Sequence, residues 1–139
     1  MHKHLTALLA AGVLLTGSGV AFAHHPFAAE YDSNKPAQVE GKVTKVNWTN
    51  PHSFLTVDAK GANGKLEHYR VELGSPNALV KKGWKRGSVK VGEMVTVNGW
   101  YARDSETRIN ARAVTMKGHE FDAASSYYDS GTSPQRSGN

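Results

Sequence analysis

Apolar and polar residues alternate in short segments from Val39 onward, and this period of two predicts β-strands. In the first segment the apolar phase slips near Thr44 and Lys45, and Gly41 lies just before the slip. A slip beside a glycine indicates a bent or bulged strand. The five predicted strands cover residues 39–48, 54–59, 66–73, 94–101 and 108–116.

Turn and helix signals separate these segments. Asn63-Gly64 is a strong hairpin signal between the second and third strands. Ser75 is a suitable N-cap for a helix that begins with Pro76, and Gly83 favours the left-handed conformation that ends it. Because this helix has only about two turns, we expect packing through Leu79 and Val80 to stabilise it.

The element order β-β-β-α-β-β predicts a mainly β protein, a small five-stranded OB-like barrel with one short helix. An SH3-like barrel or a half-open meander is the alternative. Closure is favoured because five short strands in an open sheet would leave two unpaired edges.

The N-terminal 23 residues have the features of a secretory signal peptide: a basic start with Lys3, an apolar run over residues 5–15, and the cleavage signature Ala21-Phe22-Ala23. A membrane anchor is the alternative, but the apolar run is shorter than the roughly 20 residues that span a bilayer. We therefore expect a periplasmic protein that begins at His24 after cleavage. The predicted organisation is a signal peptide at 1–23, an N-terminal arm at 24–37, an OB-like barrel at 38–124, and a disordered tail at 125–139.

Composition limits the possible chemistry. The 139 residues include no cysteine, which excludes disulfides, thiolate catalysis and iron–sulfur clusters. The formal net charge of +5 fits an acidic partner or anionic lipid, and we expect no nucleic acid partner outside the cytosol. We also expect no enzymatic activity, since the sequence contains no nucleophile elbow, phosphate loop or HExxH motif.

Five motifs in the chain form a recognisable set: His24-His25-Pro26-Phe27-Ala28-Ala29-Glu30-Tyr31-Asp32, Trp48-Thr49-Asn50-Pro51-His52, Glu72-Leu73-Gly74-Ser75-Pro76-Asn77-Ala78-Leu79, Gly83-Trp84 and Asn110-Ala111-Arg112. They resemble the motifs of an uncharacterised family of short secreted, periplasmic bacterial proteins that contain a domain of unknown function. The resemblance implies a periplasmic domain with a small β-rich fold, and it implies no activity. A weaker similarity is to periplasmic copper-efflux chaperones, but their Met-x-Met pair is missing here.

Histidines suggest a metal site. After cleavage, His24 would offer an α-amine and a ring nitrogen to one ion, and His52, in the turn Asn50-Pro51-His52-Ser53, would offer a third nitrogen. Such a nitrogen set suits the tetragonal geometry of Cu(II), although Zn²⁺ or Ni²⁺ would also accept it. His25 is an alternative or fourth ligand. The sequence thus predicts a copper-binding protein for storage or delivery, whereas the simpler interpretation is a solvated His-His pair.

A metal-free envelope binding module is the second hypothesis, and a purely structural accessory subunit is a third. In the binding module a partner protein or anionic envelope component would contact the rim at Trp48 or a basic stretch. The basic stretch consists of Lys81, Lys82, Lys85, Arg86 and Lys90, which equally fit a solvated face at a helix C-terminus. His68 and His119 are expected at the surface, and Trp84 and Trp100 in packing.

Overall fold

A β-barrel of five strands with one additional strand forms the domain. The structure is a computed structural model, and it describes residues 27–124; the predicted signal peptide, His24, His25 and the predicted tail at 125–139 lie outside the described residues. The elements are α1 Phe27–Glu30, β1 Tyr31–Asn47, β2 Phe54–Lys60, β3 Leu66–Glu72, α2 Pro76–Lys81, β4 Met94–Ala102, β5 Ser105–Met116 and β6 His119–Asp122.

Hydrogen bonding orders the strands β3-β2-β1-β4-β5-β6, and a parallel pairing between β3 and β5 closes the barrel. In this pairing Arg70 lies opposite Arg108 and Glu72 opposite Asn110. The OB-like barrel predicted from the element order is therefore confirmed. Closure covers part of the edges that β3 and β5 would otherwise expose, and β6 pairs along the second half of β5.

Two elements were not anticipated by the sequence pattern. They add to the predicted five strands and one helix: β6 pairs with the second half of β5, and α1 precedes β1. A turn in which Lys117 and Gly118 both have positive φ, 51° and 78°, connects β5 to β6. His119, expected after the last strand, is the first residue of β6 and is exposed.

The first strand is longer than predicted and is bulged where the apolar phase slips. The β1–β2 register shifts between Val43 and Lys45, so the predicted bulge is confirmed. A Cβ at Gly41 would collide with the backbone carbonyl of Asp58, which explains the glycine just before the bulge. Because β1 begins at Tyr31, residues 31–37 of the predicted arm belong to the strand.

The short helix α2 has the predicted ends. Ser75 Oγ accepts a hydrogen bond from the Ala78 backbone N–H at 3.2 Å, and Gly83 follows the helix with φ of 90°. Leu79 is fully buried, but Val80 is 55% exposed, so the expectation that both pack into the core is wrong. With six residues and one buried apolar side chain, α2 depends on tertiary packing rather than on its own propensity.

The barrel interior is apolar and continuous. Val43, Val57, Val71, Val97 and Ile109 are fully buried, one from each barrel strand. Within residues 27–124 no helix is long and apolar enough to span a membrane.

Candidate functional site

One carboxylate joins three segments at one end of the barrel. Glu72, the last residue of β3, accepts a hydrogen bond from the Tyr31 hydroxyl on Oε2 at 2.6 Å. Its other oxygen, Oε1, lies 2.7 Å from Nδ1 of His52. The cluster of Tyr31, His52 and Glu72 is called the His–Glu–Tyr cluster below.

The backbone next to His52 is fixed by the barrel. Ser53 N–H donates to the Gly74 carbonyl at 3.0 Å, and Leu73 N–H donates to the Ser53 carbonyl at 2.8 Å. Phe54 then starts β2 directly opposite Glu72. The β2–β3 ladder therefore extends to the turn that carries His52, and this brings the imidazole to the Glu72 carboxylate.

The N-terminal segment packs against β4 and the β4–β5 turn and brings Tyr31 to the same place. The Phe27 ring stacks on the Tyr31 ring at 5.7 Å and meets Trp100 edge-on at 5.3 Å. Arg103 holds the short helix α1 through its Nε, which donates to the Ala28 carbonyl at 2.8 Å, and through its backbone N–H, which donates to the Glu30 carbonyl at 2.9 Å. From Phe27 onward the predicted arm is thus a packed part of the domain.

Burial and hydrogen bonding act in opposite directions on Glu72. Burial raises the pKa of this carboxyl, but the hydrogen bonds with His52 and Tyr31 outweigh it, so the pKa lies below its ordinary value of 4.5. Burial, with the hydrogen bond to Glu72, raises the pKa of the Tyr31 hydroxyl far above 10. Glu72 is therefore ionised and Tyr31 protonated at neutral pH.

The charge of Glu72 determines the tautomer of His52. An ionised carboxylate only accepts hydrogen bonds, so Nδ1 of His52 must carry the proton that it donates to Oε1. In the neutral ring Nε2 then carries the lone pair, as assigned from the hydrogen-bond network. The contact with Glu72 holds the imidazole in one orientation. Because the His52 side chain is 29% exposed, the ring lies at the surface of the barrel.

Buried polar groups surround the cluster. Asn110, opposite Glu72 across the closing seam, is 3% exposed, and its Oδ1 has no hydrogen-bond partner within residues 27–124. Ser53 Oγ is likewise buried without a partner in this part of the chain. Arg108 lies over the Tyr31 ring, with its guanidinium carbon 5.9 Å from the ring centre. Ser53 and Asn110 are the buried polar residues among those between 27 and 124, and each is next to a member of the cluster in sequence or in strand pairing.

The predicted metal ligands are only partly located. His52 lies in the cluster, whereas His24 and His25 lie outside the described residues. Within residues 27–124 no group of three or more histidine, aspartate or glutamate side chains is arranged to hold a metal ion. The metal site therefore stays a prediction.

Sequence reasoning did not select Tyr31 or Glu72 as site residues. Both are in the motifs that carry the family resemblance, as are His52 and Asn110. Four motifs that are distant in sequence thus meet at one end of the barrel. The presence of all four in one chain was the sequence signal that could have indicated this site.

The predicted partner-binding residues have different environments. Lys82 pairs with Asp122 at 2.8 Å and donates to the Ala124 carbonyl at 2.8 Å. Lys81, Lys85 and Arg86 are exposed and form no ion pair with the residues between 27 and 124. Trp48 is half-buried and packs against the core.

The other tryptophans and His68 have the expected environments. Trp84 is buried and donates through Nε1 to the Asp122 carbonyl at 2.8 Å, and Trp100 packs on Phe27. His68 is exposed, as expected, and its Nδ1 lies 2.6 Å from Asp58.

The fold and the cluster together define a small OB-like barrel with a carboxylate-oriented histidine at one end. The model described as "Family of unknown function (DUF6152)" matches residues 11–110, and the chain belongs to this family. All members of the His–Glu–Tyr cluster lie inside the matched range. A search of the curated proteins finds no match. Among solved structures, the dimeric N-terminal domain of the PriB protein from Thermoanaerobacter tencongensis is similar, with 18% identity and a TM-score of 0.40 over 60% of this chain and 96% of that chain.

Proposed function

We propose that this chain is a periplasmic metal-binding protein that holds a copper ion for storage or delivery. In this proposal His24, exposed by signal-peptide cleavage, provides its α-amine and ring nitrogen. His52 provides Nε2, and His25 is an alternative or fourth ligand. The observation that carries the proposal is the contact of His52 Nδ1 with the ionised carboxylate of Glu72 at 2.7 Å.

This contact is typical of a metal-binding histidine. Ligating imidazoles usually donate their second ring N–H to a carboxylate or carbonyl, which fixes the tautomer and makes the metal-facing nitrogen more basic. Glu72 supplies that acceptor on Oε1, while Tyr31 occupies Oε2. The arrangement supports His52 as a ligand through Nε2.

The position of the N-terminal segment supports a site shared with His24. Phe27 stacks on Tyr31, Tyr31 bonds Glu72, and Glu72 contacts His52, so a chain of direct contacts connects Phe27 to the candidate ligand. Only Pro26 and His25 separate His24 from Phe27 in the sequence. Three residue steps span at most about 11 Å, so chain length keeps His24 within that distance of Phe27.

Copper is the preferred ion on chemical grounds. An amine and two imidazoles form a nitrogen set of the kind that Cu(II) favours, and copper leads the divalent affinity order. The free α-amine titrates near pH 8, so binding would displace a proton and weaken in acid. A partly exposed His52 would leave the ion open to exchange, as storage or delivery requires.

Copper titration of two matched proteins tests the proposal. The first begins at His24, and the second carries one additional alanine ahead of His24, which removes the α-amine of His24 from the chelate and leaves all side chains in place. We expect the native N-terminus to bind Cu(II) at least tenfold more tightly, because the six-membered chelate ring formed by the α-amine and the imidazole of His24 is lost in the extended protein. Equal affinities would eliminate the terminal chelate.

A metal-free envelope binding module is the second candidate. Its support is the surface beside α2, where Lys81, Lys85 and Arg86 are exposed without ion pairs in the described part of the chain and Val80 is 55% exposed. An exposed apolar residue among unpaired cations fits an anionic partner surface.

Charge reversal tests this second candidate. We expect envelope partners that co-purify with the wild-type chain to be lost when Lys81, Lys85 and Arg86 are changed to glutamate. Changing Lys60 and Lys65, which lie at the β2–β3 hairpin, to glutamate is the control. Partners that persist in the first variant would contradict docking at the basic stretch.

A further inference from the structure

We propose that Tyr31 is a positioning residue of the metal site: its hydroxyl holds Glu72 in the orientation that presents Oε1 to His52. This inference rests on the proposed metal-binding function and adds a residue that acts through Glu72 rather than on the metal. The Tyr31 hydroxyl lies 2.6 Å from Oε2, and His52 Nδ1 lies 2.7 Å from Oε1.

Each oxygen of the Glu72 carboxylate accepts from a different donor. A carboxylate can rotate about its terminal bond and present either oxygen to one donor. With Tyr31 on Oε2, the direction of Oε1 is fixed, and the imidazole of His52 is fixed with it. Glu72 is 13% exposed, so little water is available to replace either donor. The hydroxyl of Tyr31 therefore has a specific role in orienting His52.

The ring of Tyr31 is held independently of its hydroxyl. Phe27 stacks on one side at 5.7 Å, and the guanidinium of Arg108 lies 5.9 Å from the ring centre. Replacement by phenylalanine therefore retains the packing of α1 and removes one hydrogen bond. This separation makes the positioning role testable without loss of the fold.

Tyr31 also belongs to the segment that leads to the predicted chelating terminus. It is the first residue of β1, paired with Ala102 of β4, and His24 precedes it by seven positions. One hydrogen bond thus orients the carboxylate behind His52 and ties the N-terminal segment to β3.

Tyr31→Phe tests the proposal in the mature protein, with Tyr101→Phe as the control. Tyr101 lies on β4, and its hydroxyl has no contact with Glu72. In metal-free protein, ¹⁵N NMR of His52 reports the tautomer; in a second measurement, Cu(II) is titrated against a competing chelator. We expect Tyr31→Phe to change His52 from one tautomer to a mixture and to weaken Cu(II) binding about tenfold, the lower end of the losses seen when the hydrogen bonding that orients a ligating histidine is changed.

The two readouts separate failure of this inference from failure of the proposed function. A His52 tautomer that is unchanged by Tyr31→Phe would overturn the positioning role, whatever the copper affinity. A wild-type protein that does not bind Cu(II) would overturn the metal function, while the tautomer result would still decide whether Tyr31 orients His52. If Tyr31→Phe does not fold, the Tyr31 hydroxyl proton of the wild type is measured instead: slow exchange supports the bond to Glu72, and fast exchange contradicts it.

Discussion

Tyr31 and His52 contact the two oxygens of a single carboxylate, that of Glu72. Tyr31 begins β1, whereas His52 lies in the turn before β2, so the carboxylate at the end of β3 connects the N-terminal segment to the β1–β2 loop. The His–Glu–Tyr cluster therefore depends on closure of the barrel and on the packing of α1, which precedes β1.

Glu72→Gln tests the role of this carboxylate in metal binding. We expect a 10- to 100-fold loss of Cu(II) affinity, because the amide cannot act as the charged acceptor for both donors and His52 loses its fixed tautomer. Titration against a competing chelator gives the affinity.

The chain contains a matched control for that substitution. Asp58 accepts from His68 with a 2.6 Å contact to Nδ1, but this pair lies on the exposed face of β2 and β3. Asp58→Asn should leave copper affinity within twofold of the wild type. An equal loss in the Glu72 and Asp58 variants would show that the effect does not come from the His–Glu–Tyr cluster.

The lowered pKa of Glu72 predicts acid-sensitive stability. Because the folded-state pKa is below the unfolded value of about 4.5, the stabilisation is fully present above that value and is lost as the pH falls through the folded pKa. We expect the free energy of unfolding, measured by urea denaturation, to decrease less between pH 6 and pH 3 in Glu72→Gln than in the wild type.

Glu93 provides the comparison for this pH effect. Its pKa is also lowered, mainly by its hydrogen bond from Lys117, whose side chain is 72% exposed. Glu93→Gln should change the pH dependence less than Glu72→Gln, because solvent screens surface ion pairs. Identical pH profiles for the wild type and Glu72→Gln would contradict the stabilising role of the buried carboxylate.

Alanine substitutions at adjacent positions in α2 are predicted to differ strongly in their effect on the stability of the protein. Leu79→Ala should cost about 2–5 kcal/mol, because a fully buried side chain is removed from the core. Val80→Ala should change the free energy of unfolding by less than about 0.5 kcal/mol, since Val80 is 55% exposed. Chemical denaturation of both variants measures the difference, and equal costs would contradict the orientation of α2.

Gly99 is predicted to be intolerant of any side chain. A Cβ at this position would collide with the backbone carbonyl of Asn110, where the β4–β5 register shifts. We expect Gly99→Ala to destabilise the fold by more than about 2 kcal/mol, because backbone rather than a flexible side chain must move. A thermal midpoint equal to that of the wild type would contradict this close approach.

Local chemistry made much of the barrel predictable. The phase slip at Thr44 marks the bulge in β1, Asn63-Gly64 forms the β2–β3 turn, and Ser75 caps α2, because each of these signals acts within a few residues. The four-residue strand β6 was missed because its conformation depends on pairing with β5 rather than on its own pattern.

The cluster was harder to predict than the strands. His52 was selected from its residue type, but the sequence placed Tyr31 in the N-terminal arm and Glu72 in the third predicted strand, with no role in a site. Their contact depends on how β1 and β3 are brought together, which alternation of apolar and polar positions does not specify. Val80 shows the same limit, because apolar character alone did not determine which side of α2 is buried.

Pulsed electron paramagnetic resonance of the Cu(II)-loaded protein beginning at His24 tests the central claim most directly, because it detects the remote nitrogen of each coordinated imidazole. We predict imidazole signals in the wild type that decrease by one ring in His52→Ala and remain unchanged in His68→Ala. A spectrum unaltered by His52→Ala would contradict His52 as a copper ligand.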